Sequence, residues 1–480
     1  MAPAEPGSHC PTSPRGPLCK NESELHRKIE VANGDILVTR HRFGGFLFLL
    51  YTRHMERIVE LTVTGMNAEG AAVAVHDGKE VFVMGLLPGE RALVDVRRKK
   101  KGHMGIVREI LEASPRRILP TETHHLSCGP WQTMEYALQL ELKKNILEEL
   151  FPEQAITMIP ADKLSGYRTK IEFSFTDRDL LGEPAPLSLA FHERGGGARR
   201  LALPEGCMLA SEAMNKAALA VVEKLRVQGL PSRSLKTLIL RESKSSGQLL
   251  VLLYIKDEIT INCTLDDIPG ASGFHVYFST PLSPASVITK VLRDEGEGTL
   301  TENIQGKEIT YAADAFFQNN VSMFSRSVER MRAHFPQAAK AVELYSGVGT
   351  IGLLLADRAE EMVGIETVPS AVVNANENAK RNGITNYRAE CLFAEKMDPA
   401  VLDGADVLIL DPPRVGLHKD VIAMVRKKTP KTIIYLSCNP VTQARDYALL
   451  QDLYGIVLLE GYDFYPQTPH MESLLCLTIR

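Results

Sequence analysis

Paired cysteines are absent from this chain. Its eight cysteines, Cys10, Cys19, Cys128, Cys207, Cys263, Cys391, Cys438 and Cys476, form no Cys-x-x-Cys motif and are too sparse over 480 residues for a disulfide framework. A reducing compartment is expected, with each thiol judged by its own neighbours. A long apolar run is absent too. Near the start the longest is Phe43–Tyr51, nine residues, where a membrane-spanning helix needs roughly twenty. More than forty residues precede it, too many for a secretory leader, so a cytoplasmic protein without a membrane partner is expected. Nor does one charge dominate: 55 basic and 59 acidic residues leave −4, and any attraction to a polyanion must be local. What is present is 44 % apolar and 24 % charged residues, enough for roughly two to four domains with cores of their own.

Residues 1–54 show no sustained period, and a strand pattern begins with Glu56–Val63. The folded protein is expected to start at Met55, with 1–54 a disordered tail or the product of too early a start codon. From 55 to 118 short strands are cut by Gly turns: Ala71–Val75, Val81–Met84 and Arg91–Val96. This spacing predicts a small β-barrel. Its far end carries Arg97, Arg98, Lys99, Lys100 and Lys101, followed by Arg108, Arg116 and Arg117. Such a run is a solvated loop on most folds, but on an oligonucleotide-binding barrel it faces a polyanion. Residues 119–310 read as a mixed α+β central domain, with helices around Leu138–Leu150 and Ala210–Val227 and strands at Lys170–Phe175 and Gln248–Tyr254. From 311 to 480 apolar strands alternate with amphipathic helices, the pattern of a doubly wound α/β sheet. The strands are Ala341–Tyr345, Met362–Glu366, Val407–Asp411, Thr432–Leu436 and Leu474–Leu477. Chemistry is expected at their carboxyl ends.

The first of these strands runs into Tyr345-Ser346-Gly347-Val348-Gly349-Thr350-Ile351-Gly352, a G-x-G-x-x-G before a helix. Its glycines let a ligand approach the backbone at the helix N-terminus. Glu366, nineteen residues after Gly347 at the end of the next strand, is placed to accept from ribose hydroxyls. An adenosine-containing ligand follows, either a nicotinamide dinucleotide or S-adenosylmethionine. Asp411-Pro412-Pro413-Arg414 ends the third strand in a stiff, extended loop. Leu436-Ser437-Cys438-Asn439-Pro440 ends the fourth and presents Cys438 at the mouth of the sheet, whereas Cys476, within a strand, reads as a small hydrophobe. A nucleophilic Cys438 requires a pKa below the ~8.5 of a free thiol, or a reactant that protonates as it is attacked. His470 and Glu472, just before the last strand, suggest general acid/base work at the same edge. A thiolate, a base and an adenosine-bearing methyl donor fit one reaction: addition to carbon 6 of uracil, methylation at carbon 5, then loss of the carbon 5 proton.

These residues resemble the RNA uridine-5 methyltransferases of the TrmA and RumA type, from Met55 to Arg480 and most closely from about Ala312 onward. The resemblance implies a doubly wound S-adenosylmethionine-dependent methyltransferase domain. It implies Cys438 as nucleophile, Glu472 as base, and Gln318, Tyr345, Glu366 and Asp411 at the cofactor. Within Phe316-Phe317-Gln318-Asn319-Asn320, Phe316 would stack on the target base. Gly166-Tyr167-Arg168-Thr169-Lys170 is similar to a family strand whose cations, here Arg168 and Lys170, would meet RNA phosphates. The barrel resembles a TRAM domain, which points to 23S ribosomal RNA, with a transfer RNA uridine as the alternative; no obligate protein partner is implied. The RumA branch implies a four-iron cluster on four cysteines. Here only Cys128 and Cys207 match, with Glu122 and Trp131 in two of the other places, so neither cluster nor other metal is expected.

Three other readings remain. An amino-group methyltransferase also uses an Asp-Pro-Pro loop but needs no thiol. A dinucleotide oxidoreductase lacks a hydride-acceptor site downstream. An RNA-binding protein with an inactive methyltransferase domain would not need Cys438, Glu472 and Asp411 together.

Overall fold

The computed structural model describes the side chains of residues 58–99, 102–194, 199–283 and 285–480, together with the backbone of Arg57 and of three strands before it. The chain divides into two units, Met1–Ile58 and Val59–Arg480. In the first, β1 (Glu30–Ala32), β2 (Ile36–Phe43) and β3 (Phe46–Thr52) form an antiparallel sheet where the sequence pattern predicts no element. The rest of 1–54 lies outside the described residues, and with it most of the stretch read as a disordered tail or the product of too early a start codon.

Five strands, β4 (Arg57–Met66), β5 (Ala72–His76), β6 (Lys79–Val83), β7 (Arg91–Lys99) and β8 (Gly102–Glu112), close the expected barrel in the order β4-β5-β6-β8-β7. Alternating residues fill it, among them Leu61, Val63, Ala74, Val81, Val83 and Val94. Four of the cations singled out in the sequence are tied into structure. Buried Asp95 accepts from Arg97 and Arg108, each at 2.8 Å, Arg117 is paired with buried Glu90 at 2.6 Å, and Arg116 with Glu141 at 2.7 Å. Arg98 and Lys99 are exposed at the end of β7.

Beyond the barrel come α1 (His125–Cys128), α2 (Tyr136–Leu150) and β9 (Thr157–Ile159). The central sheet then contains β10 (Lys170–Arg178), β11 (Pro184–His192), β12 (Arg200–Ala202), β13 (Leu235–Glu242), β14 (Leu249–Ile255), β15 (Gly273–Phe278) and β16 (Lys290–Gly296). Its order is β12-β11-β10-β13-β14-β15-β16. Helix α3 (Glu212–Val227), capped by Ser211 at Met214 N, covers it with Met214, Ala218, Val221 and Leu225. A hairpin, β17 (Thr299–Ile304) and β18 (Lys307–Ala312), leads to α4 (Val321–His334).

The last layer alternates β19 (Ala338–Leu344), α5 (Thr350–Leu355), β20 (Ala359–Glu366), α6 (Pro369–Arg381), β21 (Tyr387–Cys391), β22 (Val407–Leu410), α7 (Lys419–Lys428), β23 (Thr432–Ser437), α8 (Pro440–Ala448), β24 (Tyr454–Tyr462) and β25 (Glu472–Ile479). The sheet order is β21-β20-β19-β22-β23-β25-β24-β9. Strands β22 and β23 are buried throughout, as the centre of a sheet covered on both faces requires. The order reverses at β19, so the crevice for a ligand opens at the carboxyl ends of β19 and β22. Parallel pairing of β9 with β24 brings a strand from before the central sheet into this layer. Among the described residues no helix is long and apolar enough to cross a membrane.

Candidate active site

The Gly-rich turn is built for a ligand. Tyr345, just past β19, has φ 65°, a left-handed conformation that costs a non-glycine residue energy and re-aims the chain. Gly349, with φ 81°, caps α5; a Cβ there would lie 2.7 Å from the Tyr387 hydroxyl, so glycine is required both by conformation and by space. A Cβ on Gly347 would meet nothing within 4 Å, which leaves the backbone face open. Gly347 N donates to Glu366 Oε2 at 2.9 Å, while Glu366 Oε1 accepts from Thr367 N at 2.7 Å and Val368 N at 2.9 Å. The carboxylate is thereby fixed at the end of β20, and Oε2, which accepts only from Gly347 N, keeps lone-pair capacity for a hydroxyl donor. Glu343, not recognised from the sequence, supports the turn from below: Gly352 N donates to its Oε2 at 3.0 Å, and burial raises its pKa well above the carboxylate range.

Gln318 and Asp411 meet across the crevice, with Gln318 Nε2 donating to Asp411 Oδ2 at 3.2 Å. Burial pushes Asp411 up to about 7, against the Gln318 hydrogen bond. The strip carrying Gln318 is clamped by the central domain and by the segment before β25. Thr169 Oγ1 donates to Gln318 O at 2.8 Å, Lys170 N to Asn319 Oδ1 at 3.0 Å, and Asn320 Nδ2 to Phe464 O at 3.0 Å. Buried Arg241, unremarked in the sequence, donates to the carbonyls of Ala313 at 2.7 Å and Ala315 at 2.5 Å. Phe317 stacks on Tyr311 at 3.9 Å between centroids, leaving Phe316 75 % exposed beside the crevice residues.

Cys438 and Glu472 are brought together by register. Ser437 of β23 pairs with Ser473 of β25, so the next residue on one strand and the preceding residue on the other leave the ladder side by side. The Cys438 thiol is not depressed, as nucleophilic activation would have it. Burial pushes it up to about 11, with Glu472 and Asp411 adding to the shift and Arg414 opposing it. Glu472 is buried and likewise raised well above its ordinary value by burial and by Asp411, against a Tyr465 hydroxyl at 3.5 Å and Arg414. Three acids therefore face one another with Arg414 as the cation beside them. His470 is held neutral: its Nδ1 accepts from Arg414 Nη2 at 3.1 Å, and burial with nearby cations lowers its pKa to about 4.

The 463–472 segment is anchored by a pair invisible to sequence patterning. Lys143 of α2 lies 2.5 Å from Asp463, both fully buried, and Gln139 bonds Gln467 at 2.9 Å. Arg168 and Lys170 are half-buried rather than set on a solvated strand face. Arg168, whose Nε has no partner, lines a cavity of about 140 Å³ with Arg194, Cys128, Cys207 and His470.

The sheet order, the glycine turn and the ribose-ready acid define the S-adenosylmethionine-dependent methyltransferase class. Within it, the chain belongs to the tRNA (uracil-5-)-methyltransferase family, whose model matches residues 135–480. It is 30 % identical to an uncharacterized RNA methyltransferase of Clostridium tetani, covering 87 % of this chain and 97 % of that one. A relative named an uncharacterized RNA methyltransferase in Nanoarchaeum equitans is 29 % identical, covering 92 % and 98 %. In fold the chain is similar to the Pyrococcus abyssi tRNA (uracil-54, C5)-methyltransferase in complex with S-adenosyl-L-homocysteine, with TM-score 0.74 and 23 % identity over 88 % of this chain and all of that one.

Proposed function

We propose that this enzyme methylates carbon 5 of a uridine in folded RNA, with Cys438 as nucleophile and Glu472 as base. The observation carrying this reading is the adjacency of the two residues past the Ser437–Ser473 pair, near Asp411 and on the sheet edge that also carries the glycine turn. Bound S-adenosylmethionine supplies an electrophilic methyl group on a sulfonium. Gly347 and Glu366 would receive its adenosine, and Tyr345, Gln318 and Asp411 would line the rest of its site. The Cys438 sulfur bonds to carbon 6 of uracil as its S–H bond breaks, and the ring electrons shift to the carbon 4 oxygen, which takes the thiol proton. Carbon 5 then takes the methyl, leaving a neutral thioether on the donor, while the carbon 4 carbonyl re-forms and gives its proton to solvent. Glu472, ionised beside the cationic ligand, removes the carbon 5 proton, and the carbon–sulfur bond breaks to release the thiolate. The raised acids suit a site that keeps its protons until a cationic ligand arrives. Phe316 holds the unstacked uridine, and the cavity lined by Arg168 would receive RNA.

The RNA is 23S ribosomal RNA on this reading, supported by the barrel and its exposed Arg98 and Lys99. A transfer RNA uridine is the second reading. It is favoured by the family description and by the likeness in fold to the Pyrococcus abyssi tRNA (uracil-54, C5)-methyltransferase. Mass mapping of 5-methyluridine in both RNAs from a deletion strain decides: loss in 23S RNA supports the first, and loss confined to transfer RNA replaces it with the second. A cytoplasmic site of action accords with the six free thiols among the described residues.

A further inference from the structure

Four side chains away from the catalytic edge converge on one point. Glu122 and His124 precede α1, Cys128 ends it, and Cys207 lies between β12 and α3. One ligand atom from each lies within 4.8 Å of all the others. His124 Nε2 is 3.2 Å from Glu122 Oε1, yet it is buried without a properly formed hydrogen bond. Glu122 is held in place from outside the group: Oε1 accepts from Met208 N at 2.6 Å and Oε2 from Gln132 Nε2 at 3.0 Å. Supporting bonds of this kind orient ligands in metal sites.

We propose that Glu122, His124, Cys128 and Cys207 bind a single zinc ion. Two thiolates, an imidazole and a carboxylate form the mixed donor set that zinc accepts in closed, four-coordinate sites. Ligand bonds of about 2.0–2.3 Å in a tetrahedron place donor atoms roughly 3.3–3.8 Å apart, a spacing that the 4.8 Å grouping reaches with small movements. A four-iron cube does not fit. It needs a ligand at each of four separated irons, its corner thiolates stand farther apart than donors around one ion, and only two thiols are present. Trp131, at the place of a further cysteine in the family pattern, is buried and donates its indole N–H to Gly70 O at 3.2 Å.

A zinc ion held by two thiolates, a carboxylate and a neutral imidazole leaves one net negative charge on the group, and binding releases the protons that these ligands carry. Arg168 and Arg194 line the cavity next to it and complement that charge. The ion would join the 122–128 segment to Cys207 behind Thr468 and His470, which line the same cavity, and so brace the approach to Glu472. Its role is structural, and no step of methyl transfer passes through it.

Elemental analysis of the full-length protein, purified without chelator from zinc-supplemented cells, tests this. The expected result is one zinc per chain without acid-labile sulfide. Zinc should fall to background in Cys128→Ser and His124→Ala and stay unchanged in Cys263→Ser, a buried thiol outside the group. Cobalt exchange of the wild-type protein should give intense visible bands of a tetrahedral thiolate site, so the proposal stays testable if a variant does not fold. Iron with sulfide, no stoichiometric metal after equilibration with zinc, a weak octahedral cobalt spectrum, or zinc retained by both ligand variants would each overturn it.

Discussion

Ser437 pairs with Ser473 across the β23–β25 ladder, and this antiparallel register delivers Cys438 and Glu472 to the same edge of the sheet. The two residues are expected to fail differently. Cys438→Ala should lower turnover on the order of 10⁴-fold or more and form no covalent RNA complex. Glu472→Gln should lower it by about 10²- to 10⁴-fold while a protein–RNA adduct accumulates, because the sulfur cannot leave until carbon 5 loses its proton. Denaturing gels and single-turnover assays read both; turnover retained without Cys438 would point to amino-group methylation.

Asp411 makes stability depend on pH. Its folded pKa of about 7 lies above the ~3.9 of an unfolded aspartate. Between those values the folded state keeps a proton that the unfolded state gives up, so its contribution to stability falls as pH rises through that window. Asp411→Asn should therefore raise the melting temperature relative to wild type at pH 8, with a smaller gain at pH 4.5, and should weaken S-adenosylmethionine binding. An equal gain at both pH values would reject the protonation argument.

The buried Lys143–Asp463 pair holds the segment leading to Glu472. Lys143→Met leaves the Asp463 charge uncompensated and should destabilise by about 3–5 kcal/mol. Combining it with Asp463→Leu should recover most of that loss in urea unfolding. No recovery in the double variant would mean that packing rather than charge dominates.

Phe316 is exposed, and the proposed mechanism has the unstacked uridine rest on it. Phe316→Ala should reduce kcat/KM for RNA by the equivalent of about 1–3 kcal/mol, and Phe316→Tyr should restore most of it. S-adenosylmethionine affinity, measured by calorimetry, should not change in either variant.

On the barrel, Arg98 and Lys99 of the basic run are exposed. Removing both should weaken RNA binding with little dependence on RNA sequence and reduce the salt-dependence slope by about 1 per lost phosphate contact. Arg97→Ala should act on barrel stability instead, since it leaves one of the two cations that neutralise buried Asp95 missing.

Much of the fold was legible because strong local patterns agreed with the tertiary structure. Continuous apolar runs became β22 and β23, and the amphipathic stretch near 210–227 became α3. The edge strand β21, Tyr-Arg-Ala-Glu-Cys, was not legible, because one exposed face admits Arg388 and leaves no apolar run. Strand β9 was hidden for another reason: three residues carry no period, and only its partner β24 makes them a strand.

The candidate site divides in the same way. Sequence alone determined the glycine turn, the acid after the second strand, and the Cys and Glu flanking two strand ends, since each depends on residue type and short spacing. Tertiary structure decided the register that sets Cys438 beside Glu472 on the edge the sequence had named, that the thiol is raised, and that Arg168 faces a cavity. It also brought Glu122 and His124 to Cys128 and Cys207, where the sequence had suggested only a broken cluster motif. Proximity across a folded chain and the loss of water around a charge both depend on what packs against a residue, and no local spacing records either.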